Sequence, residues 1–137
     1  LSFARPEPGD IVYCRFPEEG LPGPALKPRP ALVLTVGEID GNPGVAVAYG
    51  TSQNTDRLYS GEFLIGPADG EAYTLSGLSV PTKFDLRNVK ELPYDEPWFR
   101  VPPGAPHGQT PTLGVLHPSL VRRAKAAFDA ASRAQRR

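Results

Sequence analysis

Proline and glycine set the first limit on what this chain can form. Seventeen prolines and fourteen glycines are distributed over 137 residues, about twice the usual combined share of roughly 12%. A proline inside a helix costs about 3 kcal/mol, so a coiled coil or an all-helical bundle is excluded. The apolar residues, 39% of the chain, still gather in short runs. That combination predicts short strands, turns and long irregular loops around one core, with at most one or two helices. The length fits a single domain over residues 1–137, expected to bury roughly 68% of its unfolded surface.

Residues 10–16 (DIVYCRF) alternate enough to read as a half-buried strand. The next fourteen, 17–30, carry five prolines and form a loop. Residues 30–36 (PALVLTV) and 45–51 (VAVAYGT) are apolar runs joined by EIDGNPG, which predicts a hairpin. A short strand is expected at 61–66, a turn at 68–73 and a strand at 75–86, with Pro81 at a bulge or edge. Residues 88–94 form a shorter, ambiguous piece. The barrel or bent sheet so predicted spans about 9–94, and a Pro-rich loop follows over 95–116. Pro118 then opens a helix over about 118–135, with Leu120, Ala124, Ala127, Phe128 and Ala131 on one face. The fold class is mainly β: a small antiparallel sheet or barrel with a C-terminal α-helix.

The formal charge is zero, but unevenly so. From Ser119 onward six basic residues face the single acid Asp129, leaving nine basic and fourteen acidic residues before it. The body is therefore no basic nucleic-acid platform, and the basic tail reads most simply as a solvated helix face. Cys14, alone and inside an apolar run, rules out an intrachain disulfide and reads as a core filler. His107 and His117 form no ligand cluster, so no metal or other cofactor is expected. No apolar run reaches the ~20 residues of a membrane span and the start lacks signal-peptide character. The chain contains no methionine, so the first residue is not expected to be the natural start. The cytoplasm is the expected location.

Phosphate loops, dinucleotide fingerprints, nucleophile elbows and HExxH pairs are all missing from the sequence. What remains is an ordered set of short pieces. Gly9-Asp10-Ile11-Val12 opens the first strand and Arg29-Pro30-Ala31-Leu32-Val33 the second. Gly50-Thr51-Ser52-Gln53 ends the third, and Gly61-Glu62-Phe63-Leu64-Ile65 forms the fourth. In order and spacing this set, covering about residues 9–92, resembles the PemK/MazF family of toxin ribonucleases from bacterial type II toxin–antitoxin pairs.

The resemblance implies an SH3-like barrel, a homodimer, a cognate antitoxin as partner and metal-independent cleavage of single-stranded RNA. It makes Arg29 and Thr51 the catalytic pair and places Ser52 and Gln53 beside the substrate. The family's later strand is matched by Lys83, Asp85 and Arg87 as substrate-binding residues. Here it lacks a glutamine and has one residue fewer between acid and base, and Lys83 stands where some members carry an arginine. Cleavage by the RNA's own 2′-hydroxyl needs in-line geometry and donors for the charge building on phosphorus. Arg29 can supply a bidentate fork, and Thr51 a hydroxyl. Asp85 and His107 are the candidates to accept the 2′ proton.

Each residue has a plainer role open to it. Arg29 could cover a barrel edge, Thr51 and Ser52 could serve a turn, and Asp85 could form a surface ion pair with Lys83 or Arg87. Tyr49 and Trp98 could stack bases or simply pack in the core. The alternative function is a non-catalytic nucleic-acid or protein-binding module on the same barrel. Topoisomerase inhibition by a related barrel has no residue-level support.

Overall fold

The computed structural model describes residues 2–135. Six strands build one antiparallel sheet: β1 (Asp10–Cys14), β2 (Arg29–Ile39), β3 (Asn42–Thr51), β4 (Glu62–Ile65), β5 (Thr82–Pro93) and β6 (Thr112–Val115). Their order is β4-β5-β3-β2-β1-β6, with β4 and β6 as its two edges rather than a closed ring. Two helices complete it, the short α1 (Glu71–Ser76) and the C-terminal α2 (Val121–Gln135). The expected class, mainly β with a C-terminal helix, is the one observed.

The β2–β3 hairpin is tighter than its sequence suggests. Only Asp40 and Gly41 form the turn, with φ of 52° and 80°, the two positive angles of a type I′ connection. The strands therefore extend through Ile39 and from Asn42. Alternation along them sends side chains to opposite faces. One face packs Ile11, Leu32, Ala48, Phe63, Ile65, Phe84 and Leu86 against α1 and against Leu120, Ala127 and Ala131 at and along α2. The other gathers Val12, Cys14, Ala31, Val33, Val45 and Val47 with Tyr94 and Phe99. Cys14 is fully buried, as a core filler should be, and burial pushes its thiol pKa up.

Four expectations are corrected. Residues 71–76 are helical, not a turn running into a strand, because Ala72 and Ser76 bury against the sheet. Gly77 closes that helix in the left-handed region at φ 71°. A Cβ there would collide with the Leu113 carbonyl. Residues 82–93 form one continuous strand rather than two pieces, starting directly after Pro81. Its pairing with β3 jumps from Ala48↔Val89 to Tyr49↔Asp85, so residues 86–88 bulge out of the ladder. The 95–116 loop contains β6, which pairs with β1. Finally, Phe128 is 50% exposed and leaves the buried face of α2 to Ala127 and Ala131.

Candidate functional site

Arg29 begins β2 opposite Cys14, and Thr51 ends β3 opposite Lys83. The register Ala31↔Tyr49 places both on one side of the sheet at the same end of adjacent strands. Gly50 makes that approach feasible. A Cβ at this position would strike the Pro30 carbonyl and lie 2.8 Å from the Phe84 ring.

Arg29, Thr51 and Ser52 line one cleft of about 420 Å³. Lys27 lies on the same wall, residues 77–80 form another, and Pro102, Pro103 and Pro106 close the third. Thr51 Oγ1 accepts the Gln53 backbone N–H at 3.1 Å, which leaves its proton free to donate. Arg29 belongs to none of the ion pairs formed among the described residues. Gln53 is exposed and outside the cleft lining.

Lys83, Asp85 and Arg87 belong to a separate ionic cluster. Lys83 is 5% exposed, and its Nζ donates to the Arg57 carbonyl at 2.9 Å and to Glu62 Oε1 at 3.1 Å. The Tyr59 ring lies 5.5 Å from the same nitrogen. Asp85 Oδ1 accepts from the Arg87 backbone N–H at 2.9 Å and from its Nε at 3.0 Å. Asp85 thus satisfies backbone left unpaired by the β5 bulge and holds the guanidinium that lies over it. That hydrogen bond raises the Arg87 pKa above its usual value; burial opposes it, while the charges of Asp85 and Glu62 add to it. Asp85 and Arg87 line a different, wider groove with the 17–22 loop and Trp98. The sequence paired Asp85 with Lys83 or Arg87; Arg87 is its partner, and Glu62 is the partner of Lys83.

Neither proton-acceptor candidate lines the Arg29 cleft. Asp85 is held in the ionic cluster, and His107 is exposed with its carbonyl accepting the Thr110 hydroxyl at 3.2 Å. His117 instead caps the turn before α2, its Nδ1 accepting from the Ser119 N–H at 3.0 Å. Tyr49 packs on Phe16 with ring centroids 5.2 Å apart, and both Tyr49 and Trp98 lie against the second core cluster. Both are partly buried by this packing, and Trp98 also lines the wider groove. Among the described residues no group of three or more His, Cys, Asp or Glu side chains is placed to hold a metal ion.

Sequence reasoning missed Lys27, Ser79 and the proline wall as neighbours of Arg29. Lys27 had a signal, standing two residues before Arg29 in the same Pro-rich approach. The prolines of 102–106 had none, because their place depends on how a distant loop returns.

No protein-family model and no curated protein matches the sequence. Solved structures do resemble it. An endoribonuclease from a mycobacterial species superposes with a TM-score of 0.57 at 16% identity, over 94% of this chain and 92% of that one. A mycobacterial endoribonuclease in complex with its cognate antitoxin gives 0.56 at 16% identity, over 93% and 94%. The likeness is one of fold, and it spans nearly the whole of both chains.

Proposed function

We propose that this chain is an endoribonuclease of the toxin type, cutting single-stranded RNA at the cleft that holds Arg29 and Thr51. The observation that carries the reading is their convergence: two strand ends bring Arg29, Thr51 and Ser52 to one cleft, on a fold shared with mycobacterial endoribonucleases. Arg29 donates to the phosphate and stabilises the charge that builds on its oxygens. The Thr51 hydroxyl holds a phosphate oxygen or the attacking 2′-hydroxyl. That hydroxyl displaces the 5′-oxygen of the next nucleotide, leaving a 2′,3′-cyclic phosphate and a 5′-hydroxyl. With no carboxylate or imidazole among the cleft residues, the 2′ proton passes to solvent water, and solvent returns one to the departing 5′-oxygen. The chain contributes geometry and charge rather than a general base, and no step calls for a metal.

A cognate antitoxin, pairing of two copies and a place in the PemK/MazF family belong to the same proposal. A solved neighbour bound to its antitoxin supports the first of these. The second reading is a non-catalytic binding module. It is favoured by the locking of Lys83 and Arg87 into ion pairs, which leaves the cleft fewer cations than the sequence suggested.

The experiment is cleavage of a long single-stranded RNA by purified protein in EDTA, with the product ends identified by mass spectrometry. Cyclic-phosphate ends from RNA, and no cutting of the same strand with 2′-deoxy sugars, are expected. Intact RNA under all conditions would leave the binding module as the better account.

A further inference from the structure

The Pro-rich segment between β5 and β6 folds back onto the Arg29 cleft and is fixed there. The Arg100 N–H donates to the Tyr13 carbonyl at 3.1 Å, and the Tyr13 N–H to the Pro111 carbonyl at 2.8 Å. Both backbone groups of one β1 residue thus tie down the two ends of the segment. Between them the Ala105 N–H closes a turn on the Pro102 carbonyl at 3.0 Å, and the Gly108 N–H closes the next on the Ala105 carbonyl at 3.0 Å. Gly104 and Ala105 take positive φ of 80° and 42°, while the proline rings lock their own φ. The wall is stiff before any ligand arrives.

We propose that this 102–106 turn makes the cleft a seat for one unpaired nucleobase, and so lets the chain discriminate the base beside the phosphate held at Arg29. The seat's position and its capacity to bind stand on the geometry; its role in cutting rests on the ribonuclease reading above. The apolar rings of Pro103 and Pro106 offer C–H surface for a base face, without the charge that would favour a phosphate. The cations Arg29 and Lys27 line the same cleft and take the backbone. Hydroxyls of Ser52 and Ser79 can meet the polar edge of a base, where identity is read. At about 420 Å³ the cleft lies near the lower end of small-ligand sites, roughly 300–1,000 Å³. That is room for one nucleotide unit and not for a helix. An acidic peptide would satisfy the two cations, but a base fills the apolar wall and the Ser52 and Ser79 hydroxyls together with one planar group.

Two variants test this without touching Arg29 or Thr51. Pro103→Ala with Pro106→Ala removes exposed rings while leaving buried Pro102 in place. Ser79→Trp fills the cleft from an exposed position. The wild-type protein is expected to cut a random RNA pool with a preference at one nucleotide next to the scissile bond. Both variants, with unchanged melting temperature, should lose about tenfold of that preference, the scale of a lost apolar contact in a pocket. An unchanged preference overturns the inference.

Binding of four uncleavable 2′-O-methyl homohexamers (A, C, G and U) separates the two claims. If the wild type binds one hexamer best and the variants lose that difference, the seat stands even where no RNA is cut, and only the ribonuclease reading fails. Equal binding of all four, no binding, or binding of an acidic peptide in their place overturns the seat.

Discussion

At the residue scale, the buried charges decide more about stability than about chemistry. Lys83 neutralises Glu62, whose side chain is 7% exposed, and it also holds the Arg57 carbonyl. Lys83→Met would leave that carboxylate with Arg87 Nη2 at 3.8 Å as its nearest cation. Breaking a buried pair from one side is strongly destabilising, so a loss of about 3 kcal/mol in urea unfolding is expected. Adding Glu62→Gln should recover a good part of it, because Gln can still accept the Tyr59 N–H now bound at 2.8 Å. A full-strength loss in the double variant would show that the charge is not the cause.

Burial acts on two further groups in a way that pH can read. It raises the Cys14 thiol from its ordinary 9.0. It raises the Tyr94 phenol from 10.0 as well, partly offset by a hydrogen bond with Thr112. Both hold their protons more tightly in the native state. Above pH 9 the unfolded chain loses protons that the native chain keeps, and stability therefore falls as pH rises. Melting temperatures at pH 7.5 and pH 10 should differ, and Cys14→Val should narrow the gap. A gap unchanged by that substitution would remove Cys14 from the account.

At the scale of elements, legibility followed how local the cause was. The β2–β3 hairpin was readable because Asp40-Gly41 supplies the backbone angles its turn needs. Helix α1 was not, since glycines at both ends read as a turn. Its six residues are held by tertiary packing and by the Ser76 hydroxyl, which donates to the Tyr73 carbonyl at 2.5 Å and accepts the Leu78 N–H at 3.2 Å. Four-residue β6 was hidden for the same reason, as its partner β1 lies about a hundred residues earlier. The site shows the same division. Arg29 and Thr51 sit at the ends of strands whose register is set locally. The Lys83–Glu62 pair needs β4 laid beside β5, and the proline wall needs a loop tied to Tyr13.

The close approach of β2, β3 and β5 at Gly50 can be tested directly. Gly50→Ala should destabilise by about 1–3 kcal/mol through overpacking against the Pro30 carbonyl and Phe84. Gly37→Ala, in β2 with nothing within 4 Å of the added carbon, is the control and should be close to neutral. Similar losses in both would show that contact at Gly50 is not the cause, since the entropy change of Gly→Ala favours the folded strand.

For the whole molecule, the neutral net charge conceals an acidic body and a basic C-terminal segment. The body therefore offers a polyanion little long-range attraction, and the RNA capture proposed above would fall to the local cations Lys27 and Arg29. The eleven prolines of 17–30 and 93–111 turn out to frame that cleft. One block delivers Lys27 and Arg29, and the other supplies the facing wall.

The central claim is that Arg29 stabilises charge during RNA cleavage, and single-turnover rates measure it most directly. Arg29→Ala, with an unchanged melting temperature, should slow cleavage of a short RNA by roughly 10²–10³, the worth of one well-placed donor. Arg29→Lys should recover part of the rate, keeping the charge but not the fork. A rate for Arg29→Ala equal to that of the wild type would place the chemistry elsewhere and contradict the account.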